Sequence, residues 1–467
     1  MSKFYITTPI YYVNAKPHIG HAYTTLVADV ISRYQKSQGS DVFFLTGTDE
    51  HGAKVQESAE AVDKDPQEFV DEIANEFQDS WKNLNIEYSD FIRTTEKRHK
   101  EKVQNFLEDL KAKDVLYEGE YKGLYCTGCE NFITEKELED GKCPHHKKEP
   151  EELIEKNWFF KLSDYTKQIK ELIEQDKLKI HPEFAKKETL GLLEQGLDDF
   201  SISREKVDWG VKLPWDESQT VYVWVDALLN YITARDYPNL KDNWPADLQL
   251  IGKDILKFHA IFWPAMLLAA GLDTPKELFI HGYFTIDGQK MSKSLGNVID
   301  PNDLVKEYGV DGARYLILSQ FPFGQDGDVK AEKFDEQYNT ALANGIGNVV
   351  SRVSNLLEKD SISIKIKQGS DKKLKDKIKN AMLNYKLNEV FSILWAELSF
   401  VDEALEKQKP WELDDVKKKK EILEPLSQKI LNVADLLQPF LPETSDKIIK
   451  QFTDKEIKKG EPLFPRK

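Results

Sequence analysis

The sequence predicts an α/β protein built on a doubly wound parallel sheet, with an inserted domain and an all-α helix bundle near its C-terminal end. Three observations predict this architecture. Strand and helix patterns alternate over the first fifty residues, the alternation stops between residues 114 and 212 and then resumes, and the pattern after residue 336 is almost wholly helical.

The first segment reads as strand, helix and strand. Residues Phe4–Thr8 are aromatic and β-branched, apolar residues recur at helical spacing after Gly20, and Asp41–Thr46 forms a compact apolar run. This order favours a parallel sheet, in which ligands bind beyond the carboxyl ends of the strands. The polar residues expected at those ends are His18, His21 and Asp49.

The inserted segment carries all three cysteines of the chain. Cys126 and Cys129 form one Cys-x2-Cys pair, and Cys143 and His146 repeat the two-residue gap after thirteen intervening residues. Thiolate and imidazole groups at this spacing predict a tetrahedral Zn²⁺ site. Four protein ligands leave no open position on the metal, so we predict a structural ion held by these four residues, with His145 as the alternative fourth ligand.

The sheet pattern resumes at Thr220–Asp226 and at Leu248–Asp254, and a loop-rich stretch precedes the helical bundle. No internal repeat or low-complexity linker separates these parts, which predicts packed domains. The expected domains are residues 1–113 and 213–283 for the two halves of the sheet domain, 114–212 for the insertion, 284–335 for the loop region and 336–467 for the bundle.

Composition and charge exclude several classes of protein. The net charge of −16 argues against a general nucleic-acid binder, although the residues from 336 onward carry a small net positive charge that can hold a polyanion locally. The longest apolar run, Ala260–Leu272, is too short to span a bilayer and predicts a buried helix. An odd number of cysteines and an N-terminus without a secretory signal favour a reducing cytoplasm.

Two short segments have the composition of a phosphate site. The first is Lys16–His21, at the predicted start of a helix, where unpaired N–H groups attract phosphate and Gly20 permits close approach. His18 and His21 add hydrogen-bond donors. The second is Lys290–Ser294, which lies between glycines and places two cations and two hydroxyl groups on a loop. Its predicted phosphate ligands are Lys290, Ser292 and Lys293.

In this order, the two segments resemble the HIGH and KMSKS signatures of the class I aminoacyl-tRNA synthetases. The runs Thr7–Asn14, Thr46–Gly52, Tyr222–Ala227 and Phe258–Pro264 are similar to segments of the methionyl-tRNA synthetases in particular. The resemblance extends over essentially the whole chain. It implies a class I Rossmann-type sheet, an inserted zinc-knuckle connective domain and an anticodon-binding bundle. It also implies that ATP, with Mg²⁺, adenylates L-methionine before transfer to tRNA.

The resemblance further implies the residues that bind the small substrates. His18, His21, Lys290 and Lys293 are the implied catalytic residues, and Gly20, Gly252, Asp254 and Ser292 join them in binding ATP. Methionine is polarizable and packs well against aromatic rings. The implied methionine residues are Ile10, Tyr12, Asp49, Trp224, Ala227, Leu228, Tyr231, Phe258 and His259, with Asp49 on the α-ammonium group. The family usually has proline where this chain has Leu228, so one wall of the pocket departs from the family pattern.

In the predicted bundle, Asn348 and Arg352 stand four residues apart on one helix face, and Trp411 follows a helix-breaking proline. An aromatic platform with polar side chains is how proteins read unstacked RNA bases. The resemblance implies that these three residues read the anticodon of both initiator and elongator methionine tRNA. We expect a monomer without a membrane partner, since the sequence ends at Lys467, just past the bundle.

Three other functions remain as alternatives. Another class I synthetase is disfavoured because the insertion is short and its centre carries the cysteine cluster. A nucleotidyltransferase that adenylates a small molecule without tRNA leaves the helical bundle unexplained. A non-catalytic module that binds zinc and RNA leaves both phosphate segments unexplained.

Overall fold

The computed structural model describes residues 2–133, 135–144, 147–286, 288–291, 297–366 and 371–467, with the side chains of residues 136, 289 and 290 left undescribed. These residues form two compact units. The first unit comprises the described residues within 1–17, 39–79 and 87–281, and the second comprises those within 18–38, 80–86 and 282–467.

The strands are numbered in chain order. They are β1 (Lys3–Tyr12), β2 (Asp41–Asp49), β3 (Asp90–Arg93), β4 (Leu116–Cys126), β5 (Asn131–Ile133), β6 (Glu151–Phe160), β7 (Lys179–His181), β8 (Phe200–Ser201), β9 (Ser203–Arg204), β10 (Lys212–Leu213), β11 (Asp216–Val221), β12 (Leu248–Gly252), β13 (Glu277–His281), β14 (Phe284–Ile286), β15 (Gln289–Lys290) and β16 (Gly327–Val329).

The helices follow the same convention. They are α1 (Ile19–Ser37), α2 (Ala53–Glu60), α3 (Pro66–Asn83), α4 (Lys97–Ala112), α5 (Thr166–Glu174), α6 (Glu183–Gln195), α7 (Val223–Thr233), α8 (Trp263–Ala270), α9 (Pro301–Leu318), α10 (Phe334–Tyr338), α11 (Asn348–Lys359), α12 (Lys372–Leu383), α13 (Leu387–Gln408), α14 (Val416–Leu437) and α15 (Pro442–Thr453). Two π-helical stretches, Phe258–Phe262 and Asn339–Gly347, precede α8 and α11. Within the described part of the chain, no helix combines the length and apolarity needed to cross a membrane.

The first unit is built on a six-stranded sheet in the order β3-β2-β1-β12-β13-β7, and every pairing in it is parallel. The predicted parallel sheet is therefore confirmed, and its central strands are those that the sequence indicates. Because all the strands run in one direction, their carboxyl ends lie along one edge. The ends of β1, β2 and β12 place Tyr12, Asp49 and Gly252 at that edge.

The insertion contributes a separate antiparallel sheet in the order β5-β4-β6-β8. Its longest pairing runs from Leu116 opposite Phe160 to Tyr125 opposite Glu151. β4 ends at Cys126, so the first cysteine pair occupies the tight connection that leads back into β5. The antiparallel sheet thus presents the cysteine-bearing turn at one of its ends.

The strand expected over Thr220–Asp226 is wrong for most of its length. β11 ends at Val221, and Tyr222 is the residue before α7. The run of aromatic and β-branched residues has the composition of a strand. However, it begins a helix whose residues from Val225 to Thr233 are all buried. A helix buried on all sides lacks the one-sided apolar pattern that distinguishes a surface helix from a strand.

The second unit contains α1, the small sheet β15-β14-β16 and the helices from α9 onward. Its centre holds a fully buried guanidinium, Arg314 on α9. Arg314 Nη2 donates to Asp29 Oδ2 on α1 at 2.7 Å, and Arg33 Nε donates to the same oxygen at 2.9 Å. Arg314 also donates to four main-chain carbonyls, those of Leu84, Asn85, Pro439 and Phe440. One side chain therefore ties α1 and the bundle to α9.

Replacing Arg314 with methionine is expected to destabilise the protein by about 3–5 kcal/mol, because buried Asp29 loses one of its two arginine donors and the buried carbonyls of Pro439 and Phe440 lose the Arg314 donor. Urea unfolding at constant pH measures the effect. The control is Lys306→Met on the same helix, which breaks an exposed pair with Asp303 and should cost less than about 1 kcal/mol. Equal losses in the two variants would show that Arg314 is not the anchor described.

Candidate active site

Asp49 is a buried carboxylate at the carboxyl edge of the parallel sheet. It is 6% exposed, and its Oδ1 atom has no hydrogen-bond partner among the described residues. Burial, followed by the neighbouring charges of Asp226, Glu130 and Glu50, raises the pKa of Asp49 well above its usual value. A carboxylate in such a place needs a cation, and the chain supplies no lysine or arginine partner within the described residues. The geometry therefore suits a ligand that carries an ammonium group.

The predicted pocket residues of the first unit come together from α7 and the π-helical turn before α8. The rings of Trp224 and Phe258 stack with centroids 4.1 Å apart and an interplanar angle of 10°. On α7, Ala227, Leu228 and Tyr231 follow at helical spacing and are buried. Ile10 and Tyr12 of β1 are partly buried and pack against the same apolar core.

His259 is neutral and hydrogen-bonded on both nitrogens. Its Nδ1 atom lies 3.0 Å from the carbonyl oxygen of Ile255, so Nδ1 carries the proton and Nε2 accepts. The Tyr231 hydroxyl, 2.8 Å from Nε2, is therefore the donor of that bond. Burial lowers the pKa of His259 to about 4. To donate a hydrogen bond to a ligand sulfur, Tyr231 or His259 must therefore give up the bond in which it is now the donor.

The two histidines of the first phosphate segment lie at the start of α1, in the second unit. His18 is the N-cap residue, and its Nδ1 accepts from the main-chain N–H of Gly20 at 3.1 Å. His21 Nδ1 accepts from the main-chain N–H of His18 at 3.3 Å. Burial, then the adjacent His18 ring, lowers the pKa of His21 well below its usual range. In the neutral tautomers that these bonds require, both rings carry their proton on Nε2.

Gly20 shows that the second phosphate segment approaches the first. A Cβ atom at this position would lie 3.0 Å from His18 Cε1 and 3.1 Å from the Cε of Met291. Met291 directly follows Lys290, whose backbone belongs to β15. The side chain of Lys290 is not described, and Ser292 and Lys293 lie outside the described residues. The described part of the loop therefore reaches the start of α1 through Met291.

The predicted ATP residues Gly252 and Asp254 lie at the end of β12 and in the short turn that follows it. A Cβ atom on Gly252 would come within 2.6 Å of Asp254 Oδ1, so the Asp254 carboxylate folds back over the end of β12. Asp254 itself is exposed. An exposed carboxylate at a strand end is available to accept hydrogen bonds from ligand hydroxyl groups.

The three cysteines of the insertion form one cluster. The Sγ atoms of Cys126, Cys129 and Cys143 lie within 4.8 Å of one another, and those of Cys129 and Cys143 are 3.5 Å apart. Tetrahedral thiolates around Zn²⁺ stand about 3.8 Å apart, so the donor set fits this metal. Burial, then the neighbouring Cys126 and Cys143 thiols, raises the pKa of Cys129, a cost that a bound cation removes. The predicted fourth ligand His146 and its alternative His145 lie outside the described residues.

In the helical bundle, the structure brings two of the three predicted RNA-reading residues together. The Arg352 guanidinium lies 5.6 Å from the ring of Trp411, which is 39% exposed. Arg352 also pairs with Asp402 and Glu406. Asn348 is exposed at the start of α11, one helical turn before Arg352. Because Trp411 is exposed, it is available as a stacking surface.

Sequence reasoning missed two groups of buried charge beside Asp49. Asp226 Oδ2 lies 2.7 Å from His51 Nδ1, and its Oδ1 lies 3.0 Å from His99 Nε2. Burial raises the pKa of Asp226, but these two histidines outweigh burial and hold that pKa well below its usual range. The second is the buried carboxylate of Glu130, which directly follows Cys129 of the thiol cluster. For the first group the available signal was that His51 and Asp226 stand inside two of the runs named above, whereas neither His99 nor Glu130 lies in any of them.

The comparisons with known proteins agree along the chain. The family model described as "tRNA synthetases class I (M)" matches residues 4–152 and 146–354. The methionine--tRNA ligase of Thermotoga maritima is 42% identical and aligns with 99% of this chain and 80% of its own length. That of Nostoc is 43% identical over 96% of this chain and 89% of its own. The structure of Mycobacterium tuberculosis methionyl-tRNA synthetase in complex with methionyl-adenylate superposes with a TM-score of 0.94, at 33% identity and full coverage of both chains.

We predict that the purified protein carries one zinc ion per chain and that Cys143→Ser weakens zinc binding by at least about a hundredfold. Loss of an outer partner of a metal ligand already costs about 10–100-fold, and loss of a ligand costs no less. Competition with a chromogenic chelator measures the affinity. Thr127→Ala, in the same turn but without a ligand atom, should keep the full metal content. Undiminished affinity in the serine variant would refute the cluster as the metal site.

Proposed function

Because the chain belongs to the methionyl-tRNA synthetases, a family of class I aminoacyl-tRNA synthetases, we propose that it joins L-methionine to methionine tRNA with the cleavage of ATP. In the first step a carboxylate oxygen of methionine attacks the α-phosphorus, and pyrophosphate leaves. In the second step a ribose hydroxyl at the 3′ end of the tRNA attacks the activated carbonyl, and AMP leaves. The observation that carries this conclusion is the similarity to synthetases over 99% of the chain.

For methionine, Asp49 holds the α-ammonium group. This role is supported by its burial and by the absence of a cation bonded to it within the described residues. The side chain of the substrate lies against the stacked Trp224 and Phe258 rings, where a thioether gains from contact with aromatic edges. The remaining walls are formed by Ile10, Tyr12, Ala227, Leu228, Tyr231 and His259.

For ATP, the Nε2–H groups of His18 and His21 donate to phosphate oxygens, and Gly20 keeps the helix start open to them. Donors that are already oriented stabilise charge that grows on the α-phosphate during attack. Lys290, Ser292 and Lys293 supply further donors from the loop, and Mg²⁺ bound with the nucleotide would neutralise part of the triphosphate charge. Gly252 and Asp254 receive the nucleoside, with the Asp254 carboxylate accepting from a ribose hydroxyl.

We assign Cys126, Cys129, Cys143 and His146 to one structural Zn²⁺, which fixes the turns of the insertion and takes no part in the chemistry. The anticodon is read by Asn348, Arg352 and Trp411 in both initiator and elongator tRNA. The proposal retains the domain division at residues 113, 212, 283 and 335, a monomeric protein and a cytoplasmic location.

The direct test is methionine-dependent exchange of pyrophosphate into ATP, followed by charging of methionine tRNA. We expect exchange with methionine and negligible exchange with leucine, isoleucine, valine or cysteine. We also expect charging of both methionine tRNAs. Exchange without charging would favour a nucleotidyltransferase that acts without tRNA. Absence of exchange with every amino acid would contradict the proposal and favour a binding module.

Replacing Trp411 with alanine should leave methionine-dependent exchange unchanged and reduce charging efficiency about 5- to 150-fold, because one base stack contributes about 1–3 kcal/mol. The measurement is kcat/KM for tRNA in charging, beside exchange on the same preparation. Phe400→Ala is the matched control, since Phe400 is a second exposed aromatic residue of the bundle at 52% exposure. A loss of exchange in the Trp411 variant would assign that residue to the fold instead.

A further inference from the structure

We infer that the turn of the cysteine cluster is a positioning element of the methionine pocket, and that Glu130 is its positioning residue, acting through Tyr12. The inference rests on the proposed function and adds to it. It makes the insertion part of amino-acid recognition, in addition to being a metal-stabilised appendage of the sheet domain. The residues concerned all belong to the first unit.

The side chain of Glu130 bonds to two elements of the sheet domain. Its Oε2 atom accepts from the hydroxyl of Tyr12 at 2.6 Å, and its Oε1 atom accepts from the main-chain N–H of Lys54 at 3.0 Å. Lys54 lies in the first turn of α2, where unpaired N–H groups favour a carboxylate. Glu130 is 4% exposed, so both bonds are shielded from water. The carboxylate thereby sets the position of the Tyr12 phenol.

Gly52 shows how closely this carboxylate is held. A Cβ atom on Gly52 would lie 2.6 Å from Oε2 and 2.7 Å from Oε1 of Glu130, and 2.9 Å from the Tyr12 hydroxyl. Gly52 also has a φ of +108°, which side chains rarely adopt. Glycine at position 52 therefore leaves the space at the start of α2 that the Glu130 carboxylate occupies.

The main chain of the same turn bonds to the opposite wall of the pocket. The Tyr222 hydroxyl donates to the carbonyl of Glu130 at 2.7 Å, and the indole N–H of Trp224 donates to the carbonyl of Cys129 at 3.3 Å. Tyr222 immediately precedes α7 and Trp224 lies in its first turn, and α7 also carries the pocket residues Ala227, Leu228 and Tyr231. Two consecutive residues of one turn thus bond to the wall on β1 and to the wall on α7.

The turn is connected directly to the predicted metal site. Cys129 supplies both a clustered thiol and the carbonyl that accepts from Trp224. Glu130 follows it with a φ of +48°, a conformation that is unfavourable for this residue unless its surroundings impose it. An ion that holds Cys126, Cys129 and Cys143 fixes this turn, and the turn fixes the two pocket walls. If the turn served only to cap the start of α2, the bond from the Lys54 main-chain N–H would be sufficient. The bonds to Tyr12, Tyr222 and Trp224 would then have no role.

The test is Glu130→Gln in the full-length, zinc-loaded enzyme. A carboxylate accepts on both oxygens, whereas an amide has one acceptor oxygen, so one of the two bonds must be lost. We expect KM for methionine in pyrophosphate exchange to rise about tenfold, the size of one lost charge-assisted hydrogen bond. Because Tyr12 belongs to the methionine pocket and not to the ATP residues, KM for ATP and kcat should stay within about twofold of the wild-type values. The methionine Kd, from tryptophan fluorescence, should rise in parallel with KM.

Two further variants separate positioning from general stability. Glu149→Gln alters an exposed glutamate of the same insertion and should change none of these values. Tyr12→Phe removes the other partner of the bond, and combining it with Glu130→Gln should raise the methionine Kd little beyond the larger single effect, because the two residues act as one unit. Metal analysis should find unchanged zinc in every variant.

The outcomes are distinguishable. A wild-type enzyme that exchanges pyrophosphate, with a Glu130→Gln variant of unchanged methionine Kd, would overturn the inference and leave the proposed function intact. Equal losses for methionine and ATP, loss of zinc, or full additivity with Tyr12→Phe would also overturn it, since each marks a structural role. A wild-type enzyme without methionine-dependent exchange would overturn the proposed function and this inference together.

Discussion

The main electrostatic constraint on the first unit is that several carboxylates lie buried close to one another near the carboxyl edge of the parallel sheet. Asp49 and Glu50 stand at the carboxyl end of β2, and the insertion and α7 bring Glu130 and Asp226 near enough for their charges to act on Asp49. Like charges held close together in a dry environment repel each other and raise one another's pKa values. Each such group must therefore find a donor or a cation. A carboxylate that receives its donors from the chain is already paired, whereas one that does not is left to bind a ligand.

Three of the four carboxylates are satisfied within the chain. Glu50 accepts from Arg93, Thr48 and Thr95. Asp226 is bonded by His51 and His99, and Glu130 by Tyr12 and the first turn of α2. Of these four residues, only Asp49 keeps an oxygen that has no hydrogen-bond partner in the described part of the chain. We propose that the α-ammonium group of an amino acid supplies the missing cation and that the amino-acid side chain then lies toward the stacked aromatic rings. On this account, the ammonium group of a bound amino acid offsets the unfavourable free energy of burying the Asp49 carboxylate without a cation.

Much of the fold and part of the site follow from the sequence. Alternating β-branched runs and helical spacing identify β1, α1, β2 and β12, and the spacing of three cysteines predicts the thiol cluster that the structure contains. Local patterns failed where an element is buried on all sides, as at the start of α7. They also failed for Glu130, because nothing in the neighbouring residues indicates that its side chain meets Tyr12, which lies more than a hundred positions away in the chain. Contacts between such distant residues depend on how the insertion packs, which local periodicity does not encode.

The central claim is that Asp49 binds the ammonium group of the substrate. Calorimetric titration of the wild-type protein and of Asp49→Asn, each with L-methionine and with its analogue that lacks the amino group, tests it most directly. The account predicts that either change alone weakens binding at least about tenfold, the scale of a charge-assisted bond. It also predicts that both changes together weaken binding little further, because they remove the same interaction. Losses that add in full, or an analogue that binds the wild-type protein as tightly as methionine, would contradict it.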